Sequence, residues 1–116
     1  VRVIFIQYPI LSESSKVLAK IVIAANFQNK GLDLHNSIFS ISGSITQKKL
    51  EDSINKSEIN NTQLNIDRGR PEIDQMIQLS SFLAGGVGAR GTPAIFINEE
   101  FIGGYIPKQQ IINLLK

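Results

Sequence analysis

Two short runs of β-branched and aromatic residues, Val3-Ile4-Phe5-Ile6 and Ala94-Ile95-Phe96-Ile97, restrict the fold of this chain more than any other feature. Continuous apolar runs of this length, bounded by turn residues, are the pattern of strands buried on both faces in an α/β sheet. Residues 1–6 are therefore expected to form such a strand, closed by Tyr8-Pro9, because the residue before a proline is held away from helical geometry. Nearly everything between the two runs has helical spacing. The expected order is a strand, a block of about four helices, a β-hairpin and a last helix.

The helical block reads element by element. Ser12 to Ser15 supply N-cap candidates for a long helix to about Asn29, with Leu18, Ile21, Val22 and Ala25 as its core stripe and Gly31 as its stop. A short helix over Leu32–Ser40 follows. Thr46 is the next N-cap, with Ile45 and Leu50 placed for a hydrophobic staple and Leu50 and Ile54 facing inward. Asn60–Arg68 reads as another short helix. Pro71 suits a first helical position, and Glu72 and Asp74 complement the dipole of that first turn. Ile73, Met76, Ile77, Leu83 and Ala84 mark its buried side, and Gly85-Gly86 its end. Then come a strand at 94–97, a turn at Asn98-Glu99-Glu100, and a returning strand Phe101-Ile102-Gly103. A final helix starts at Pro107, with Ile111, Ile112, Leu114 and Leu115 facing in.

Composition removes several function classes. The 116 residues suit one domain, and 42% hydrophobic with 19% charged residues is ordinary globular material. Net charge is +2 with scattered bases, so nucleic acid is not an expected partner. There is no cysteine and one histidine, which excludes a Cys/His zinc site, a cysteine nucleophile, an internal disulfide and an iron–sulfur cluster within these residues. No metal or organic cofactor is expected. No apolar run approaches the roughly 18 residues of a membrane span. The opening Val1, with neither an initiator Met nor a signal-type leader, carries the expectation that the chain begins mid-protein.

Few residues suggest chemistry. Gly86-Val87-Gly88-Ala89-Arg90-Gly91 fits G-x-G-x-x-G, but a dinucleotide loop must follow a strand and open a helix. Here a helix precedes it and a strand follows, so the glycines read as a helix cap and turn. Pro93 stands just before a strand without an N–H to give, which suits either a cis Thr92–Pro93 bond in a tight turn or a trans proline at a strand's first residue. His35 lies beside Asp33 with no oriented nucleophile and reads as a partly exposed helix histidine. Glu99-Glu100, Glu51-Asp52 and Glu72/Asp74 read as solvated charges rather than an acid/base pair. Asn55-Lys56-Ser57 and Asn60-Asn61-Thr62 are glycosylation sequons only in a glycosylating secretory pathway.

From Ser81 to Leu115 the chain resembles the closing part of DsbA-like thioredoxin domains. In that family a helix ends in a Gly-rich turn, a G-[IV]-x-G-T-P loop follows, and then strand, turn, strand and helix. Here the loop reads Val87-Gly88-Ala89-Arg90-Gly91-Thr92-Pro93, followed by Ala94-Ile95-Phe96-Ile97-Asn98. Val1 to Leu11, with Tyr8-Pro9-Ile10-Leu11, is similar to the family's strand and turn after the redox helix, and the stretch from Ser14 through Leu34-His35-Asn36 to its helical insertion. The nearest relatives by this resemblance are bacterial envelope oxidoreductases, including an outer-membrane-protein group.

The resemblance implies an α/β, thioredoxin-like fold with a helical insertion of the DsbA type over about 13–85, lacking the first βα of the sheet, with the loop, hairpin and last helix at 90–115. It implies that Thr92-Pro93 is a cis-proline loop whose Thr92 backbone pairs with an extended substrate chain, and that Arg90 and Gly91 border that groove. It also places the family's Cys-x-x-Cys on a helix ahead of residue 1. Without a thiolate there is no nucleophile for disulfide exchange, so the chain as given is expected to be inactive. The absent strand would sit centrally, so either the rest of a longer protein, a second copy by strand swapping into a homodimer, or a rearranged sheet would fill the slot.

Three functions follow as expectations. The first is a fragment of a thiol–disulfide oxidoreductase that forms or isomerises disulfides in unfolded or partly folded substrate proteins, is reset by a redox partner protein, and resides in the periplasm or cell envelope. The second is a redox-inactive peptide-binding or chaperone-like module. The third is the isomerase or glutathione-transferase branch of the fold, with serine chemistry.

Overall fold

Local signals decide most of the helical boundaries in this computed structural model, which describes residues 1–116. The order is α1 (Glu13–Asn26), α2 (Gly31–Phe39), α3 (Gln47–Lys56), α4 (Asn61–Asp67), α5 (Pro71–Gly86), β1 (Ala94–Ile97), β2 (Glu100–Gly103) and α6 (Lys108–Leu115). The residues divide into two units, one over 11–76 and one over 1–10 and 77–116. No helix is long and apolar enough to cross a membrane.

The caps of the first unit are side-chain oxygens on extended residues. Ser12 Oγ accepts from the Ser15 N–H at 3.2 Å, Thr46 Oγ1 from Lys49 at 3.2 Å and Asn60 Oδ1 from Gln63 at 3.0 Å. Each satisfies an N–H that the helix leaves orphaned. α1 ends in a Schellman closure, with Lys30 N–H donating to Ala25 O and Asn29 N–H to Asn26 O, both at 3.0 Å. Asn29, at φ 59°, supplies the left-handed residue. The expected stop at Gly31 is thus corrected: Gly31 is the first residue of α2. An ideal Cβ there would lie 2.8 Å from Asn26 Cβ, so its missing side chain lets the start of α2 come close to the end of α1.

The core of the 11–76 unit is one apolar cluster. α1 gives Ala19, Ile21, Val22, Ala24 and Ala25, α2 gives Leu34 and Ile38, and α3 gives Leu50 and Ile54; Ile59, Leu64 and Ile73 complete it. α1 packs on α2 and α4, and α2 on α3. Gln28 ties α1 to α4, donating from Nε2 to Asn60 O at 3.1 Å while its Oε1 accepts the Asn60 N–H at 2.9 Å. Buried Asp67 accepts from Gln63 Nε2 at 3.0 Å and faces Arg70 at 3.5 Å, whose guanidinium lies 4.5 Å above the Phe27 ring. The hydrogen bond and the nearby guanidinium offset the cost of burying that carboxylate, and the Phe27 ring packs against the guanidinium.

The other unit is built differently. β1 and β2 form an antiparallel hairpin in the register Ala94↔Gly103, Ile95↔Ile102, Phe96↔Phe101 and Ile97↔Glu100. Asn98, at φ 54°, opens the two-residue turn that joins them. α6 packs on β1, covering the face of Ile95, Ile97 and Ile102. Only Ile97 is buried in this unit.

Several expectations fail here. Residues 1–10 form no regular element, so the strand expected at 1–6 is not formed, and Val3, Ile4, Phe5 and Ile6 are exposed. A strand is defined by its ladder, and the only sheet is the two-stranded hairpin, which does not pair with them. Of the apolar side expected for α5, Ile73 is buried, whereas Met76 and Leu83 are exposed. In α6, Leu114 and Leu115 are exposed and Ile111 and Ile112 half-buried. An amphipathic stripe shows which face seeks cover; it does not supply the covering layer.

Candidate functional site

The loop from Gly88 to Pro93 is shaped by the way α5 ends. Ala89 N–H donates to Ala84 O at 2.8 Å and Gly88 N–H to Gly85 O at 3.2 Å, a second Schellman closure with Gly88 at φ 78°. Gly85 and Gly86 therefore lie inside the helix, and Gly88, not the expected Gly85-Gly86 pair, is the residue that turns the chain. The positive φ favours glycine there, since a Cβ is strained in that region. The G-x-G-x-x-G pattern is accounted for by this closure, with no helix opening after it.

Beyond the closure, Arg90, Gly91, Thr92 and Pro93 run into β1. The Thr92–Pro93 peptide is cis. Arg90, Thr92 and Pro93 are exposed and Gly91 is half-buried. None of the loop and turn backbone hydrogen bonds engages residues 90–93. The peptide groups of Gly91 and Thr92 thus lie at the entry to a strand without turn partners. By strand alternation, Ala94 and Phe96 share a face of β1. Phe101 stands opposite Phe96 with ring centroids 6.3 Å apart, and both rings are exposed. This aromatic pair beside the loop escaped the sequence reading. Its signal is the two-residue turn, which fixes the register and so pairs the two rings.

The other candidates resolve into structure. Asn55 Oδ1 accepts from Asn61 Nδ2 at 3.1 Å, and Asn60 caps α4. A shallow polar depression lies between Lys30 and Asp33 on one side and Lys56 and Glu58 on the other. Two of the hydroxyls lining it are committed to backbone, Ser40 Oγ donating to Asn36 O at 2.8 Å and Ser57 Oγ to Ser53 O at 2.9 Å. No group of three His, Asp or Glu side chains gathers as a metal site would require.

His35 stacks on Phe39 at 4.6 Å, one turn along α2. Partial burial holds its pKa below the usual 6.5 by penalising the charged imidazolium. The folded state therefore binds this proton less readily than the unfolded state, so stability falls as pH drops through and below 6.5. Urea midpoints taken at about pH 7 and pH 5.5 should differ less in His35→Gln than in the parent.

Comparison with known proteins places the fold. No family model matches the sequence, and no curated protein does. Solved structures do. A thioredoxin-like oxidoreductase from Silicibacter pomeroyi superposes with a TM-score of 0.86 at 26% identity, over 94% of this chain and 63% of that one. Proteus mirabilis ScsC in its compact conformation gives 0.82 at 20% identity, over 98% and 63%. A periplasmic thioredoxin-like protein from Salmonella enterica serovar Typhimurium gives 0.80 at 23%, over 94% and 61%. The chain thus spans less than two thirds of the length of these neighbours. Its fold is thioredoxin-like, with a helical insertion and a two-stranded sheet.

Proposed function

We propose that these 116 residues form the substrate-facing part of a thiol–disulfide oxidoreductase, whose Cys-x-x-Cys lies outside them. The observation that carries this reading is the loop Arg90-Gly91-Thr92-Pro93 at the entry to β1, exposed except at half-buried Gly91, in a fold similar to a thioredoxin-like oxidoreductase. The peptide groups of Gly91 and Thr92 accept an extended segment of an unfolded or partly folded substrate protein by strand addition. Pro93 closes that edge because it has no N–H to give. Arg90 borders the groove.

Division of labour follows from the chemistry. Exchange needs a thiolate that attacks a disulfide sulfur, forming a mixed disulfide and releasing the other sulfur as thiolate. The chain has no cysteine, so these residues alone bind and orient but do not exchange. The same absence favours a second reading, a redox-inactive peptide-binding or chaperone-like module. In the first reading a redox partner protein resets the dithiol, and the envelope or periplasm is the compartment, as for the Salmonella neighbour described as periplasmic. A strand-swapped second copy is the alternative source of a strand for the exposed apolar segment at 1–6.

The test is a chimera. A strand, a Cys-x-x-Cys and a helix, roughly 30 residues from a thioredoxin-fold oxidoreductase of demonstrated activity, are joined ahead of Val1. The chimera should exchange disulfides with an unfolded, cysteine-bearing peptide, while the 116 residues alone do not. A chimera that folds and binds peptide yet shows no exchange sinks the oxidoreductase reading and leaves the peptide-binding module.

A further inference from the structure

Arg90 is the only charged residue between Asp74 and Glu99. Within the unit formed by residues 1–10 and 77–116 the acidic side chains are Glu99 and Glu100 alone, both at the hairpin turn. Four residues of β1 separate that turn from the loop, about 13 Å at the usual strand rise. Arg90 itself is exposed and makes no ion pair with a carboxylate. This guanidinium belongs to an exposed residue two positions before Thr92, at the start of the edge proposed to accept a peptide. A guanidinium offers a planar fork of donors that matches a carboxylate.

We infer that Arg90 is a specificity-determining residue, selecting extended polypeptide segments with an acidic side chain at the position facing it. This rests on the loop being the peptide-accepting edge proposed above. An acidic residue there gains a charge-assisted hydrogen bond, while a basic one meets a like charge with no carboxylate nearby to relieve it. Because the groove is open to water, the effect is modest and salt-sensitive. Its consequence is a choice of register: among the strand-forming stretches of an unfolded substrate, those carrying Asp or Glu are held with that residue at the loop.

The experiment uses the full 116-residue chain and a set of unstructured, cysteine-free peptides rich in Thr and Val. They are identical save one position occupied by Glu, Gln or Lys, and binding is followed by calorimetry and by amide shifts at the loop. At low salt the Glu peptide should bind roughly three- to tenfold more tightly than the Lys peptide, with Gln between them. Arg90→Ala should bring the three together, and Arg90→Glu should invert their order. Thermal melts should be unchanged in both variants, since no partner is lost. Peptides that bind at the loop without this order, or with an order that survives Arg90→Ala, overturn the selectivity alone. Failure of every peptide to bind overturns the peptide-edge reading and the selectivity with it.

Discussion

Leu34→Ala should cost the chain about 2.5–5 kcal/mol, whereas Phe96→Ala should cost less than about 1 kcal/mol, although phenylalanine is the larger side chain. The difference comes from where each sits. Leu34 is completely buried in the 11–76 unit, on a helix packed against both α1 and α3. Removing its isobutyl group loses the transfer energy and leaves a cavity that a close-packed interior cannot easily refill. Phe96 is 55% exposed, so much of its surface is in water before truncation. Against a typical total stability of roughly 5–15 kcal/mol, the first loss is severe and the second minor. Urea unfolding of the two variants checks this, with hydrogen exchange reporting on α1 and α2. Equal losses would mean that the core is not where the burial places it.

Gly91→Val should weaken peptide binding at least tenfold and leave the fold intact. An ideal Cβ at Gly91 meets no heavy atom within 4 Å, and its φ lies outside the left-handed region, so the chain itself accepts a side chain there. Restricting a glycine in a compatible conformation stabilises by about 0.4–1 kcal/mol through the unfolded state. A segment pairing with the peptide groups of Gly91 and Thr92 has to approach that same space, and a branched side chain projecting into it costs contacts and ladder bonds. The contrast with Gly31→Val is informative, because there the Cβ would strike Asn26 and the loss would be one of stability. Calorimetry with an unstructured peptide and a thermal melt separate the two effects. Undiminished binding by Gly91→Val removes the loop from the binding edge.

The helices were legible because their signals are local. Ser12, Thr46 and Asn60 cap as their side chains dictate, Pro71 opens α5, and the stripe Ile21-Val22-Ala25 is buried. The hairpin was legible from its apolar runs and turn. What failed was non-local. Val3 to Ile6 has the composition of a buried strand, but composition cannot provide the neighbouring strand that makes one. The stripe of α5 beyond Ile73 likewise leaves Met76 and Leu83 exposed. Asn29 took the left-handed role assigned to Gly31, since asparagine tolerates that region and the close packing at Gly31 is visible only in three dimensions. At the candidate site, residues 90–93 were found by resemblance to a loop pattern, not by chemistry, because backbone recognition leaves little trace in side-chain identity. The Phe96–Phe101 pair needed the strand register.

The most direct measurement is an amide shift map of the 116-residue chain titrated with an unstructured peptide. Saturable shifts concentrated at Arg90, Gly91, Thr92 and Ala94 to Phe96 are expected, and they should be lost in Gly91→Val. Shifts confined to the polar depression around Lys30, Asp33, Lys56 and Glu58, or no saturable shifts at all, would contradict the peptide-accepting role of the loop.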